Sequence, residues 1–340
     1  MLDKLRAYPM VVLLLPLVAA ILLFITPPER YAAKRAPNAL QEQLYERLSA
    51  AGLSGDELAT VGALTLGYKE GLDKELKRHF QASGAAHVLA VSGLHTGIIY
   101  AVLVWLLTLG GRFRPMHENR LGRWALCLLL CAALWGYAWL TGMTPSVVRA
   151  VLMLTLYEIG RALYRDSFSL NTIAAAAVLI LLVHPQDLWS VSFQLSFTAT
   201  AAIVCLTPLL PLREERRPRI GTYILGIVVV SVAAQLGTLP VTMYYFGQVS
   251  TYFLLTNLLV LPIASLLVPC GLMSIALGGC WFGPVFSKIT FALAWVMNHS
   301  VGWIESLPGS TLSAQVNGAM VAIYYVCLLA IWAFIPKKRA

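Results

Sequence analysis

Long apolar segments follow one another along most of the sequence, and they constrain the fold more than any other feature. A first apolar run extends from Met10 to Ile25, and further runs recur from Thr96 to the C-terminal region. A helix needs about 20 predominantly apolar residues to cross a bilayer. Of the 340 residues, 59% are hydrophobic and 12% are charged, whereas a soluble domain carries about 25% charged residues. The sequence therefore predicts an all-α polytopic membrane protein.

The apolar runs predict about ten transmembrane helices. A cytoplasmic N-terminus then places three basic loops inside the cell, at Arg112–Arg123, Arg161–Arg165 and Arg213–Arg219, together with the C-terminal tail. The predicted outer loops at 141–144, 184–190, 241–251 and 306–311 contain no Lys or Arg. This positive-inside pattern supports the count and explains the net charge of +9 without a nucleic-acid partner. The approximate spans are 10–25, 96–109, 124–140, 145–163, 169–183, 192–210, 220–240, 252–278, 285–305 and 313–335.

The order of polar and apolar regions predicts four parts of the chain. Residues 1–26 form an uncleaved first transmembrane helix, because no small-residue cleavage site precedes Pro27. Residues 27–82 form an extracytoplasmic segment of short amphipathic helices, expected to pack as a surface cap on the membrane part. Residues 83–336 form the transmembrane core, and residues 337–340 form a basic cytoplasmic tail.

A glycine-punctuated stretch, Gly84–Gly97, reads GAAHVLAVSGLHTG and precedes the second apolar run. Its apolar part is too short to cross a bilayer. Irregular backbone at membrane depth is tolerated only where it is buried in protein or lines a wet cavity. We therefore predict a broken or re-entrant helix near 84–97. The polar and glycine residues of the candidate site in this stretch are His87, Ser92, Gly93 and His95.

Polar side chains also interrupt the later apolar runs. Arg149 lies one turn into the fourth predicted span and has no acidic residue at a matching helical position. Glu158 is expected to pair with Arg161 at i,i+3 spacing. Ionisable groups inside spans usually face a bundle interior or a cavity, so Arg149 meets a carbonyl group or a distant partner, or binds an anion. The amide side chains in comparable positions are Gln194, Gln235 and Asn257.

The sequence gives little support for an enzyme. The six cysteines form no C-x-x-C pair, and no H-E-x-x-H, EF-hand or Walker A sequence is present, so we expect no metal and no cofactor. Ser92 and His95 would share a helical face, which leaves a membrane-embedded hydrolase as an alternative. However, AVSGL is not a G-x-S-x-G elbow, and every aspartate falls in a predicted loop or near a terminus. A small-solute transporter is the other alternative, and we expect no catalytic residue.

Four motifs together resemble one known family. HVLAVSGLHTG, TPSVVRAVLM, SVSFQLSF and AAQLGTLPVTMYYFG occur in the order shown by the ComEC family, the inner-membrane channel proteins of bacterial competence. The resemblance covers about residues 61–262 well. Family members pass a single strand of incoming DNA into the cytoplasm. Many also carry an OB-type domain and a metallo-β-lactamase-like nuclease domain, and neither pattern is found in this sequence.

The resemblance implies a multi-pass protein of the bacterial inner membrane that acts as a channel for single-stranded DNA during natural transformation. Its implied partners are the lipid bilayer, single-stranded DNA, a separate DNA receptor, a cytoplasmic helicase or motor, and a separate nuclease if a strand is degraded. Association into a homo-oligomer stays open. A path for a polyanion needs cationic and polar lining. We expect Lys77 and Arg78 at the outer mouth of the DNA channel. The residues expected to line the path of the DNA through the channel are His87, Ser92, Gly93, His95, Arg149, Gln194, Gln235 and Asn257.

Overall fold

The computed structural model describes residues 9–24, 37–89, 91–108, 119–164, 169–207 and 220–334. These residues are predominantly helical, which confirms the all-α prediction. The predicted basic tail at 337–340 lies outside the described residues. The helices are α1 (Pro9–Phe24), α2 (Ala39–Ala50), α3 (Gly55–Leu66), α4 (Lys74–Ser83), α5 (Ala86–Leu89), α6 (Gly93–Leu107), α7 (Arg120–Leu140), α8 (Pro145–Ala162), α9 (Leu170–Val183), α10 (Val191–Leu206), α11 (Ile220–Phe246), α12 (Phe253–Leu277), α13 (Gly283–Glu305) and α14 (Gly318–Phe334).

The chain divides into two compact units, and each draws on separate parts of the sequence. The first unit comprises described residues of Met1–Ala33, Phe168–Leu254 and Thr311–Ala340. In it α10 packs against α11, and α1 packs against α9. The second unit comprises described residues of Lys34–Ser167 and Leu255–Ser310, and in it α8 packs against α7 and α6.

Helix α3 lies in the core of the second unit. Each of its residues from Leu58 to Leu66 is buried, which is the pattern of a helix enclosed on all sides. Helices α2, α5 and α13 pack around it. The segment 27–82 was expected to be a surface cap, but its central helix is part of the hydrophobic core. The division into two compact units does not show on which side of a membrane a segment lies. The boundaries of the four predicted parts therefore stay predictions.

Three described helices are long and apolar enough to cross a bilayer: α7, α11 and α12. Shorter apolar helices occur at Gly93–Leu107, Leu170–Val183, Val191–Leu206 and Gly318–Ile331. This supports a membrane protein, whereas the count of ten spans is not established. Helix α8 has 18 residues and contains three charged side chains, Arg149, Glu158 and Arg161, so its composition differs from that of an ordinary lipid-facing span.

The break predicted near residues 84–97 is confirmed. Helix α4 ends at Gly84, which adopts the left-handed conformation with φ +89° that glycine tolerates. The four-residue helix α5 follows, and α6 begins at Gly93 after Ser92 in extended conformation. Three helical pieces therefore replace one continuous helix in this stretch.

A two-stranded antiparallel ribbon, which the sequence analysis did not predict, joins two loops of the first unit. Strand β1 (Gln248–Ser250) precedes α12, and strand β2 (Thr311–Ser313) follows α13. Gln248 pairs with Ser313 and Ser250 pairs with Thr311. The ribbon therefore holds the loop before α12 beside the loop after α13.

Candidate functional site

Ser92 and His95 form the start of α6. Ser92 is the N-cap residue, and its backbone N–H donates to His95 Nδ1 over 3.1 Å. The Ser92 hydroxyl lies 3.1 Å from the same nitrogen. Because Nδ1 accepts a backbone hydrogen bond, the imidazole is neutral and carries its proton on Nε2. His95 is fully buried, and Nε2 contacts no hydrogen-bonding group within the described parts of the chain.

Arg149 lies near the start of α8 and is 3% exposed. Its Nη2 donates to Ser146 Oγ over 3.3 Å, so the side chain folds back toward the N-terminus of the helix. Pro145 occupies the first helical turn, where its missing N–H costs no hydrogen bond, and Thr144 is the N-cap residue. The first turn of α8 contains no acidic residue, and neither does the first turn of α6.

The structure brings these two motifs together. A Cβ on Gly93 would lie 3.7 Å from Cβ of Ala150, the residue that follows Arg149. Near the same break, a Cβ on Gly67 would lie 3.5 Å from Val91 Cγ2 and 3.3 Å from the carbonyl oxygen of Thr141. The beginning of α6 therefore packs on the first turns of α8, the part of that helix that contains the buried Arg149. We call this region, Ser92–His95 with Thr144–Ala150, the α6–α8 junction.

The predicted pairing of Glu158 with Arg161 is confirmed, with 2.8 Å between Glu158 Oε1 and Arg161 Nη1. The hydroxyl of Tyr100 on α6 also donates to Glu158, and Arg161 Nη1 donates to the Tyr100 oxygen over 3.1 Å. These three residues form a closed polar cluster that joins α6 to α8. Sequence reasoning missed Tyr100, because nothing in its local sequence indicates a partner on α8.

The predicted outer-mouth residues differ in their surroundings. Arg78 Nε lies 3.4 Å from Glu305 Oε1, and His79 Nδ1 contacts the second oxygen of the same carboxylate. Glu305 is the last residue of α13, so this ion cluster ties α4 to α13. Lys77 is half-buried. The charge of Arg78 is therefore partly compensated by Glu305, a residue that the sequence analysis did not single out.

Lys77 has a cationic neighbour outside the predicted spans. Partial desolvation, together with the positive charge of Lys77, lowers the pKa of Lys69. Tyr68, which precedes Lys69 in the sequence, stacks on Tyr45 with the ring centroids 4.4 Å apart. Burial, followed by the nearby Glu70 carboxylate, raises the pKa of Tyr68. Acidic and basic groups are mixed here, so this surface does not form a uniform cationic funnel.

The remaining predicted residues lie in different places. His87 is exposed on α5, where its Nδ1 lies 3.0 Å from the Gly84 carbonyl oxygen. Asn257 is buried near the start of α12, next to Thr256, whose hydroxyl donates to the Ser83 carbonyl over 2.6 Å. Gln194 and Gln235 belong to the first compact unit, whereas the other predicted residues belong to the second.

The glutamine in SFQLSF also has a local role. Gln194 Nε2 donates to the Leu188 carbonyl over 2.9 Å, which ties α10 to the 3-10 turn at Pro185–Trp189. This hydrogen bond accounts for a side-chain amide at position 194 without a bound ligand. The predicted role of Gln194 and Gln235 along a path stays a prediction.

The junction offers hydrogen-bond donors rather than ligands for a metal. Among the described residues, no group of three or more His, Cys, Asp or Glu side chains is placed to hold a metal ion. Ser92 and His95 resemble a nucleophile and its base, but a hydrolytic triad also needs a group that orients the base. No carboxylate accepts from His95 Nε2 in the described part of the chain. The arrangement suits the binding of an anion better than nucleophilic catalysis.

Comparison with known proteins supports the motif assignment. The sequence profile of the family described as Competence protein matches residues 64–339. ComE operon protein 3 of Bacillus subtilis is 29% identical over 248 residues, which cover 72% of this chain and 30% of that protein. An uncharacterized protein of Aquifex aeolicus is 31% identical over 253 residues, which cover 74% of this chain and 49% of that protein. Competence protein ComA of Neisseria gonorrhoeae is 28% identical over 160 residues, which cover 47% of this chain and 23% of that protein.

The matched regions span less than half of the length of each of these relatives. No solved protein structure matches the chain. The family profile nevertheless covers most of the sequence, including both motifs of the α6–α8 junction and helices α10 to α13. The chain therefore belongs to the Competence protein family.

Proposed function

We propose that this protein is a multi-pass inner-membrane conduit that passes single-stranded DNA into the cytoplasm during natural transformation. Membership of the Competence protein family and the similarity to Competence protein ComA support a role in DNA uptake. The observation that supports the proposal is the approach of α6 to α8 at Gly93 and Ala150, which neighbour Ser92 and the buried Arg149 in the sequence. Cationic groups and helix N-termini inside a membrane protein suit the passage of a polyanion.

The proposed orientation follows the distribution of charge. With ten spans, the basic loops and both termini face the cytoplasm, and the segment 27–82 with the α6–α8 junction is entered from outside. Lys77 and Arg78 would meet the strand first, and Arg149 would meet it within the bilayer. Translocation would be driven by a separate cytoplasmic helicase or motor, after delivery by a separate DNA receptor. Any degradation of the second strand would be the task of another protein.

Replacement of Arg149 tests the proposal. In a naturally transformable strain that depends on this chain, we expect Arg149→Ala to reduce the transformation frequency at least 100-fold, because a charge that stabilises phosphate inside the protein is lost. Arg149→Lys, which keeps the charge but not the planar guanidinium, is expected to retain part of the activity. Membrane insertion is checked by quantitative immunoblotting of the membrane fraction.

Arg120→Ala is the matched control, because Arg120 is exposed at the start of α7. It removes the same charge away from the junction and should leave the transformation frequency within about twofold of the parent. An Arg149→Ala protein that is present in the membrane at normal levels and transforms normally would contradict the conduit.

A further inference from the structure

Two buried polar atoms at the α6–α8 junction are available to a ligand. His95 Nε2 and Thr144 Oγ1 are both buried, and both lack a hydrogen-bond partner among the residues that the structure describes. A buried donor without a partner is energetically costly, so native proteins rarely retain such groups without a ligand or a water molecule. Two of them within one junction indicate a site for a hydrogen-bond acceptor.

Both atoms lie near the N-terminal ends of their helices, α6 and α8. His95 is the third residue of α6, and its Nδ1 reaches back to the Ser92 backbone N–H over 3.1 Å. The imidazole therefore lies over the first turn, and its Nε2–H donor stays at the N-terminal end, where the first backbone N–H groups have no intrahelical partner. Thr144 is the N-cap residue of α8, so its hydroxyl lies at the corresponding end of that helix.

The charge of the junction favours an anion. The Arg149 side chain folds toward the N-terminus of α8 through its 3.3 Å hydrogen bond to Ser146 Oγ. Each helix N-terminus carries about half of a positive charge, and the first turns of α6 and α8 contain no acidic residue that would neutralise it. Glu158, on the same helix, is already bonded to Tyr100 and Arg161. Helix α6 lies close to α8 here, since a Cβ on Gly93 would be in ordinary van der Waals contact with Ala150 Cβ.

We propose that the α6–α8 junction binds one phosphodiester group of a DNA strand, with His95 Nε2–H and the Thr144 hydroxyl donating to its non-bridging oxygens beside the Arg149 guanidinium. This inference rests on the conduit function proposed above and names the chemical group that the conduit recognises. Recognition of the DNA backbone rather than the bases makes binding independent of the DNA sequence. A conduit that passes any strand requires this independence. The headgroup of an anionic lipid presents the same phosphodiester chemistry, and the experiment separates the two sources.

The binding assay uses the full chain in nanodiscs of phosphatidylcholine. Fluorescence anisotropy compares a labelled ten-residue oligothymidylate with its methylphosphonate counterpart, which keeps the bases but lacks the backbone charge. Hydrogen bonds to charged groups contribute about 1.5–3 kcal/mol, which corresponds to an affinity change of about 10- to 100-fold. The charged oligonucleotide should therefore bind at least tenfold more tightly than the uncharged one.

Matched substitutions isolate the two donors. In His95→Asn the amide oxygen replaces Nδ1 as the acceptor for the Ser92 N–H, so the helix start is kept and only the Nε2–H donor is lost. Thr144→Val removes the hydroxyl at constant shape, and Thr144→Ser restores it. We expect His95→Asn and Thr144→Val each to weaken binding of the charged oligonucleotide about tenfold and to leave the methylphosphonate unchanged. His299→Asn, at an exposed histidine of α13, should change neither.

The outcomes separate the site from the conduit. Unchanged affinity of both variants for the charged oligonucleotide overturns the phosphate site. Displacement of the oligonucleotide by micromolar glycerophosphoglycerol, a soluble lipid headgroup, overturns its assignment to DNA. If both variants lose binding but transform normally, the phosphate site stands and the conduit fails. If both variants bind normally while Arg149→Ala abolishes transformation, the conduit stands and this site fails.

Discussion

Gly237 on α11 lies at the closest helix contact of the first unit. A Cβ at this position would lie 2.6 Å from the carbonyl oxygen of Thr198 and 2.6 Å from Ala202 Cβ, both on α10. Without a side chain, the two helices approach closely enough for direct van der Waals contact, as small residues commonly permit in membrane proteins. The glycine of the AAQLGTLP motif is therefore explained by packing and does not require a ligand.

We expect Gly237→Ala to destabilise the protein by about 1–3 kcal/mol, because backbone atoms cannot move away from the added methyl group without separating α10 from α11. Gly226→Ala is the control on the same helix. No atom lies within 4 Å of its added Cβ, so it should leave the stability unchanged or raise it by up to about 1 kcal/mol. Thermal unfolding in detergent, followed by circular dichroism, measures both changes. Equal behaviour of the two variants would contradict the close packing of α10 and α11.

At individual residues, sequence reasoning identified groups that are unusual in their local setting. A charge within an apolar run is visible without a structure, and Arg149 and the Glu158–Arg161 pair were found in this way. Tyr100, Thr144 and Glu305 were missed, because tyrosine, threonine and terminal glutamate are ordinary residues in such helices. Their importance depends on contacts between distant parts of the chain, such as that of Tyr100 with a residue 58 positions away.

Among the helices, α4 is held near its middle and at its C-terminal end, and this determines how the broken stretch begins. Near its middle, Arg78 and His79 bind Glu305 of α13. At its end, Thr256 of α12 donates to the Ser83 carbonyl over 2.6 Å. A helix that ends at a glycine leaves carbonyl groups to be satisfied, and Thr256 satisfies one of them. The position of α5 and the start of α6 therefore depends on α12 and α13.

Helix α5 provides a test of whether the break is in contact with water. Ala86 is exposed, whereas Val88, two residues further, is fully buried. In a background without the six native cysteines, Ala86→Cys should react with a charged, membrane-impermeant thiol reagent, and Val88→Cys should be protected. The measurement is gel shift after labelling of intact cells. Protection of both positions would place the exposed face of α5 in lipid and would contradict a re-entrant helix.

The break itself was predictable, but its internal structure was not. Glycines and histidines between apolar residues indicate an interrupted helix, and Gly84 with its positive φ ends α4 as expected. The burial of α3 was not anticipated. This segment was predicted to form amphipathic helices, but Thr60 and Thr65 are buried together with the apolar residues of α3. Thr60 donates to Asn298 of α13, and Thr65 donates to the Val61 carbonyl. Because these hydrogen bonds allow the two threonines to be buried, the order of polar and apolar residues does not reveal that the helix is enclosed.

At the scale of the whole molecule, the ribbon of β1 and β2 constrains which loops lie on the same side of the membrane. The sequence analysis predicted that the loops at 241–251 and 306–311 face the outside, from the lack of Lys and Arg alone. Pairing of Gln248 with Ser313 requires that these loops lie on one side, since paired strands are about 5 Å apart. Two helices, α12 and α13, separate the strands, as a return to the same side requires. The ribbon thus supports the prediction that the two loops share one side of the membrane, while the side that they face stays a prediction.

We expect Gln248→Cys and Ser313→Cys, each in a cysteine-free background, to be labelled from outside in intact cells, because both side chains are exposed. The double variant should form a disulfide on mild oxidation, detected as a change in electrophoretic mobility that a reductant reverses. Gln248→Cys combined with Ser169→Cys, at the start of α9, is the control pair and should not crosslink. Labelling that requires permeabilised cells would contradict the proposed orientation.

The first helix has a consequence for biosynthesis. In the folded protein α1 packs on α9, and the Met10 backbone N–H donates to the Asn171 side chain over 2.8 Å, across 161 positions of sequence. A ribosome needs on the order of 10–30 s to produce that length of chain. Throughout this interval the apolar residues of α1 exist without those of α9. Lipid or an insertase would shelter them until Asn171 emerges, so α1 reaches its final neighbours long after its own synthesis.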